Sequence, residues 1–384
     1  MHILHIANSY GGTEVYKNLF MALDRLGVRQ TVFVPLNPNN HNRIGNQLID
    51  FEVQDSKIIY STALKKRHKF FYSDKIRTIV HEIEKEVDLE TVDYVHGHTL
   101  CVDGAAAYKI WKKQGIPFGC AVRNTDVNTY YKKFPWKKSF YSKILLKAKN
   151  IFFISPIYRK QFIANQVPDS IHSTIEDKAF LIPNGIDSFY LECRSAIPKT
   201  ISTPIRLIFV SAFKRGKGLV ETIQAVNKLR DEGIDIVLKS IGRGLPGRGY
   251  DAEYIQKVEE VAKGNPWIEL CDYMGKEDLI KELSKQDIFI MPSKPETFGL
   301  VYVEALSQNL PIIYTKGQGF DGFYPDGKVG YSTIFGDVDD IVEKIKLIIK
   351  NYDELSNTIS QIELDELFDW NHVAKKYVSK YEQR

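Results

Sequence analysis

At 384 residues the chain is too long for one ordinary hydrophobic core and suits two domains. Apolar content of 43 % and charged content of 26 % exclude a disordered or fibrous chain, and no apolar run approaches the length of a membrane-spanning helix. The net charge of +4 is unevenly spread: residues 1–190 carry 26 Lys/Arg against 18 Asp/Glu, the remainder 26 against 30, so the first half is the one expected to meet something anionic.

The four cysteines, Cys101, Cys120, Cys193 and Cys271, are widely spaced and make no CxxC pair. That pattern points to a reducing compartment and away from a zinc site. The N-terminus, MHILHIANSYGG, has no basic leader and reads as a first strand, so a cytoplasmic protein is expected.

Residues 1–7 predict a strand, 9–12 a glycine turn, and 13–26 a helix with Val15, Leu19, Leu23 and Leu26 at helical spacing; 31–34 is the next strand. This βαβ opening aims a glycine turn at a helix N-terminus, a geometry that favours phosphate. The turn is not GxGxxG and no acid ends the second strand, which counts against a dinucleotide. Residues 94–98 (YVHGH) and 118–126 (FGCAVRNTD) place polar groups at strand ends, where open α/β sheets bind ligands. His96 and His98 share a strand face, but without a third ligand no metal is expected.

Two segments are basic and aromatic: 65–72 (KKRHKFFY) and 130–149, with seven lysines, six aromatics and no acid in the second. Two readings stay open, a solvated face over core aromatics or a surface for anionic lipid or an anionic acceptor. No nucleic-acid recognition module appears. Residues 195–204 lose periodicity and read as a linker, after which a second βα series begins. Strand–helix alternation on both sides predicts an α/β fold of two Rossmann-like doubly wound domains facing across a cleft, 1–190 and 191–365, with 366–384 a returning amphipathic helix.

In the second half, four elements converge at strand ends: the loop with Lys214, Arg215 and Lys217, the glycine loop at Gly242, the turn Tyr273-Met274-Gly275, and the helix start Glu296-Thr297-Phe298-Gly299-Leu300, with Thr297 as its cap. Cations plus open helix amides suit a diphosphate, and Gly299 lets backbone approach it. Glu304, among apolar neighbours, needs a hydrogen-bond partner, and a ribose diol supplies one. Asp337-Val338-Asp339 spells DxD, but it sits where a helix cap is wanted.

These residues carry a resemblance. Glu296 and Glu304 within PSKPETFGLVYVEAL, Pro183-Asn184-Gly185-Ile186-Asp187, Lys217-Gly218 and the Gly11-Gly12 turn make the chain resemble the retaining glycosyltransferases of family four, which have the GT-B fold. The resemblance covers essentially the whole chain. It implies a transferase that takes a sugar from a UDP- or GDP-linked donor to a glycan or lipid-linked acceptor, with retention and without metal or other cofactor, in surface polysaccharide or glycolipid synthesis. It implies that Glu304 binds the ribose, Glu296 lies by the donor sugar, and Lys217 with the amides of Phe298, Gly299 and Leu300 holds the diphosphate. It further implies that Gly12 approaches that diphosphate and Tyr273-Met274 borders the base.

Two positions depart from the family pattern. Ala212 stands where an Arg is usual, leaving Lys214 or Arg215 to supply the second cation, and Arg123 or Asn124 stands where the family often has a His near the outer hydroxyl of the sugar. An Arg there suits an acidic sugar or an anionic acceptor. The alternatives are an inactive binding or scaffold protein of this fold, or a nucleotide-sugar epimerase. Peripheral attachment to the inner face of a membrane through 130–149 is the expectation tied to the lysine–aromatic run.

Overall fold

Short apolar runs bounded by turn residues become the parallel strands of two separate sheets. The structure is a computed structural model and describes residues 1–244 and 250–383. One unit comprises Met1–Ile154, Tyr158–Gly185 and Leu367–Arg384, the other Ser155–Ile157 and Ile186–Glu366.

In the first unit, β1 (His2–Ile6), β2 (Arg29–Pro35), β3 (Lys57–Ser61), β4 (Tyr94–Gly97), β5 (Phe118–Ala121), β6 (Asn150–Phe153) and β7 (Ala179–Leu181) pair in parallel in the order β3-β2-β1-β4-β5-β6-β7. Every residue of β1, β4, β5 and β6 is buried, as a sheet covered on both faces requires. One face is covered by a core that includes Ile76, Ile79, Ala105 and Ile110. The other is covered by Leu19, Phe20 and Leu23 of the helix Glu14–Arg25 and by Trp370, Val373, Tyr377 and Tyr381 of the C-terminal helix Trp370–Glu382. Burying each such ring stabilises the unit by about 2 kcal/mol. Gly185 is where the backbone meets the Trp370 indole: an added Cβ would lie 2.6 Å from the ring.

The second unit pairs β8 (Ile205–Val210), β9 (Ile236–Arg243), β10 (Ile268–Asp272), β11 (Ile288–Ile290), β12 (Ile312–Thr315) and β13 (Gly330–Thr333) in parallel in the order β10-β9-β8-β11-β12-β13. β13 (GYST) has too little apolar character to be read from periodicity. Gly330 explains its place, because an added Cβ would stand 1.9 Å from the Ile312 carbonyl oxygen. Both sheets reverse strand order once, at β1/β4 and at β8/β11, and loops at the C-terminal ends of such strands form the ligand crevices of doubly wound sheets.

The stretch 195–204 is not a free linker. Ser195 N donates to Ser307 O (2.9 Å), Asn309 Nδ2 to Ile197 O (2.8 Å) and Lys199 N to Ser356 Oγ (2.6 Å), all within the second unit, and the chain passes between units at Gly185/Ile186. Among the described residues no helix is long and apolar enough to cross a membrane.

Candidate functional site

The loops after β8 and β11 interlock at the second reversal point. Gly216 and Gly218 have φ of 84° and 81°, and added Cβ atoms would lie 2.5 Å from Lys294 O and 2.4 Å from Pro292 O. Lys294 N donates to Gly216 O at 2.7 Å. This close backbone fit, open only to glycine, brings Lys217 Nζ to 2.7 Å from Glu296 Oε2. Ser293 Oγ donates to the same oxygen (3.3 Å), and Thr297 N donates to Oε1 (3.0 Å). The Glu296 backbone is pinned as well, its N donating to Gln318 Oε1 (3.0 Å) and its carbonyl accepting from Gly319 N (2.9 Å).

Thr297 is not the helix cap. The helix runs Leu300–Ser307 with Gly299 as its N-cap at φ 82°, and a Cβ on Gly299 would stand 2.3 Å from the Tyr302 ring. A left-handed residue over a buried ring admits glycine and not threonine, so the Thr297 amide serves Glu296 instead. Phe298 is buried and Leu300 half-buried at this helix start, where Tyr302 N donates back to Gly299 O at 3.0 Å. Asn309, at φ 57°, ends the helix as expected.

Glu304 lies one turn beyond Leu300, and its carboxylate has no hydrogen-bond partner among the described residues. Burial, reinforced by the Asp187 carboxylate, raises its pKa to about 7. Asp187 itself caps the helix Ser188–Glu192 through Phe189 N (3.0 Å) and pairs with Lys276 (2.7 Å).

The remaining expected residues are spread around this centre. Lys214 is exposed, and its carbonyl accepts from Lys217 N. Arg215 pairs with Asp251 (3.5 Å) and Glu253 at the start of the helix Ala252–Ala262, which commits its charge there. Gly242 belongs to the end of β9 and not to a following loop; at φ 119° an added Cβ would lie 2.3 Å from Ser211 O. Tyr273 is exposed and Met274 half-buried in the turn after β10. Asp337 caps the helix Val338–Lys350, accepting from Asp340 N at 3.0 Å, and Asp339 pairs with Lys228, as the capping reading of DVD requires.

In the first unit, Gly12 follows β1 in a turn closed by Gly12 N donating to Ser9 O (3.1 Å). The guanidinium of Arg43 covers it, with Nη1 2.9 Å from where a Gly12 Cβ would be. Sequence reasoning missed Arg43, since nothing in local pattern ties it to a turn some thirty residues earlier. Arg123 follows β5, where the buried Asp126 carboxylate collects Arg123 N (2.8 Å), Cys101 N (2.8 Å) and Leu100 N (3.1 Å). The Arg123 side chain donates from Nε to His98 O (3.4 Å) and hydrogen-bonds Tyr377, and it forms no ion pair among the described residues. Asn124 Oδ1 accepts from Asn128 Nδ2. Beside this rim, the buried Asp103 accepts from Asn8 Nδ2 (2.8 Å), and burial raises its pKa to about 7.

A third histidine does join His96 and His98. His5, on β1 opposite His96, places its Nδ1 3.1 Å from His98 Nε2, and one nitrogen of each ring lies within 4.8 Å of the others. Burial holds all three well below the usual histidine range, His5 at about 3, so the rings are neutral. Yet the rings of His96 and His98 are stacked 9° from parallel at 4.2 Å, so their in-plane lone pairs run side by side and do not converge on one point. His96 also stacks on Phe152 and bonds Tyr381 Oη (2.6 Å). The cluster is arranged as aromatic core and not as a ligand set.

Two family models match the chain: Glycosyltransferase Family 4 over residues 10–188 and Glycosyl transferases group 1 over residues 195–364. Over 246 residues the chain is 26 % identical to a probable sucrose-phosphate synthase of Thermosipho melanesiensis, covering 63 % of this chain and only 56 % of that relative's length. It is 26 % identical over 300 residues to the alpha-monoglucosyldiacylglycerol synthase of Acholeplasma laidlawii, covering 70 % and 69 %. Among solved structures, the sucrose-phosphate synthase of Thermosynechococcus elongatus superposes with a TM-score of 0.73 at 17 % identity over 100 % of this chain and 98 % of that one. HepE of Anabaena, solved with UDP and glucose, gives 0.66 at 14 % identity over 100 % and 99 %. At such identities the likeness carries the fold alone, two parallel-sheet Rossmann-like units of GT-B type.

Proposed function

The chain belongs to glycosyltransferase family 4, and on that premise we propose that it transfers a sugar from a nucleotide-diphosphate sugar to a glycan or lipid-linked acceptor with retained anomeric configuration. The observation that carries the reading is the Lys217–Glu296 contact beside the helix start at Gly299, with Glu304, whose carboxylate has no hydrogen-bond partner among the described residues, one turn on. Lys217 and the amides at Gly299 and Leu300 take the diphosphate, Glu304 the ribose diol, Tyr273 and Met274 the base, and Glu296 the donor sugar.

In the reaction the bond from the anomeric carbon to the phosphate oxygen breaks and the diphosphate leaves with the electron pair. The acceptor hydroxyl adds on the same face, and its proton passes to the departing phosphate oxygen. Lys217 and the helix amides stabilise the charge that develops there, with no metal required. Arg123, a cation with no ion pair among the described residues at the rim of the first sheet, orients an anionic group on the acceptor. Cytoplasmic surface-polysaccharide or glycolipid synthesis is the setting in which such a donor and acceptor meet.

A thermal-shift panel of UDP, GDP, ADP and their sugars tests the donor site, because a ligand of the folded state raises the melting temperature by mass action. A shift with one nucleotide, abolished in Glu304→Ala, together with hydrolysis of its sugar that Lys217→Ala and Glu296→Ala cripple, is expected. Full activity in both variants overturns the reading. Nucleotide binding without sugar release points to the inactive relative, and inversion of a sugar hydroxyl without transfer points to the epimerase.

A further inference from the structure

The two basic, aromatic segments that the donor site does not use meet on one surface of the first unit. Lys133 Nζ donates to Lys69 O at 2.9 Å and stands 5.4 Å from the centroid of Phe70 and 5.3 Å from that of Phe134. Lys137 Nζ lies 5.7 Å from the centroid of Tyr72. Part of the aromatic content is core: Tyr72, Tyr131, Phe134 and Tyr141 are buried. The rest points outward, with Phe70 68 %, Phe71 63 % and Trp136 71 % exposed. Around them Lys66, Lys69, Lys132 and Lys138 are exposed, and none forms an ion pair among the described residues. The neighbouring acid, Asp74, is already engaged by Arg67 (3.0 Å) and His68 (3.1 Å).

We propose that this patch docks on an anionic lipid bilayer, with Phe70, Phe71 and Trp136 at the headgroup level and the lysines on the lipid phosphates. An ordinary solvated face interleaves acids with its lysines and does not hold three large rings outward among them. Large exposed rings beside lysines that form no ion pair among the described residues fit the interface of an anionic membrane, where the rings leave water and each cation gains from the surface potential. A second copy of the chain is disfavoured as the occupant, because two such patches repel. An acidic polymer would satisfy the lysines and leave the rings in water.

The experiment is co-sedimentation of the full chain with vesicles of phosphatidylcholine alone and with added phosphatidylglycerol. Binding to the anionic vesicles only, weakened by salt, is expected. Neutralising Lys66, Lys69, Lys132 and Lys138 to Gln should lower the partition coefficient by about fivefold per lysine at low salt. Phe70→Ser/Phe71→Ser/Trp136→Ser should lower it with the salt dependence retained. These side chains are exposed, so both variants should keep the wild-type melting temperature and nucleotide shift, which separates this result from the fate of the donor site. No binding to anionic vesicles, binding indifferent to both variants, or capture by a soluble polyanion such as heparin with none by vesicles overturns the proposal.

Discussion

Lys217 and Glu296 are 79 residues apart in sequence and 2.7 Å apart in space, and only 17 % and 15 % of their side chains are exposed. A pair this sheltered is costly to break from one side, because the remaining charge keeps its desolvation without its partner. Allowing for the remaining solvent access, Lys217→Ala should destabilise the second unit by about 1–3 kcal/mol. With Glu296→Gln added, a double-mutant cycle should recover part of that loss, and strict additivity would show that the contact carries no coupling. Sugar release should fall by about 10²–10³ in kcat for Lys217→Ala, the scale expected when one stabilising cation is removed from a leaving group.

The glycines that set this contact are testable apart from the charges. Gly218→Ala places a Cβ 2.4 Å from Pro292 O at a φ of 81° and should cost more than about 2 kcal/mol, with loss of nucleotide binding while Lys217 and Glu296 are both present. Gly233, at φ 87° with nothing within 4 Å, is the control. Gly233→Ala should cost only the left-handed backbone term of about 1 kcal/mol and leave binding intact. Equal losses in urea midpoint for the two variants would mean that the close approach is immaterial.

Glu304 gives a pH signature. Its folded-state pKa of about 7 lies above the ordinary carboxylate range, because burial disfavours the ion. Two ribose hydroxyls donating to the carboxylate favour the ion, so nucleotide binding lowers that pKa and releases a proton at and below pH 7. Affinity should therefore rise as pH increases toward about 7 and level off above it. Calorimetry in buffers of different ionisation enthalpy reads the released proton, and Glu304→Gln should abolish both the release and the slope. A slope unchanged in that variant would assign the proton elsewhere.

Which parts of this arrangement could be read from sequence follows from how far apart its partners lie. The strands are local: apolar runs such as Ile288–Ile290, fully buried, sit between turn residues and form strands. The glutamate spacing placed Glu296 in a loop and Glu304 one turn into a helix for the same reason. Thr297 failed as a cap because the decisive contact, the Tyr302 ring against Gly299, depends on side-chain direction and not on capping preference. Proximity to Lys217 points Arg215 toward the diphosphate, yet Glu253 of another helix pairs with it. His5 joined His96 and His98 only through the β1–β4 register, which no single-strand pattern contains.

That histidine cluster makes the stability of the first unit depend on pH. Folding lowers the pKa of all three rings, so below the ordinary value of 6.5 the unfolded chain binds more protons than the folded one. Their contribution is intact above pH 6.5 and is lost as pH falls below it. Asp103 acts in the opposite sense: its folded pKa of about 7 against an ordinary 3.8 adds stability as pH drops through that window. Three rings oppose one acid, so the cluster and Asp103 together should lower the stability of the unit as pH falls from 6 to 4.5. Asp103→Asn, which keeps an oxygen for Asn8 Nδ2, should steepen this loss by one proton's worth, about 1 kcal/mol per pH unit. Hydrogen exchange of β1 and β4 amides across that range measures the slope for this unit alone. A stability that stays flat from pH 6.5 to 4.5 in both proteins would mean that the histidines take up protons without unfolding.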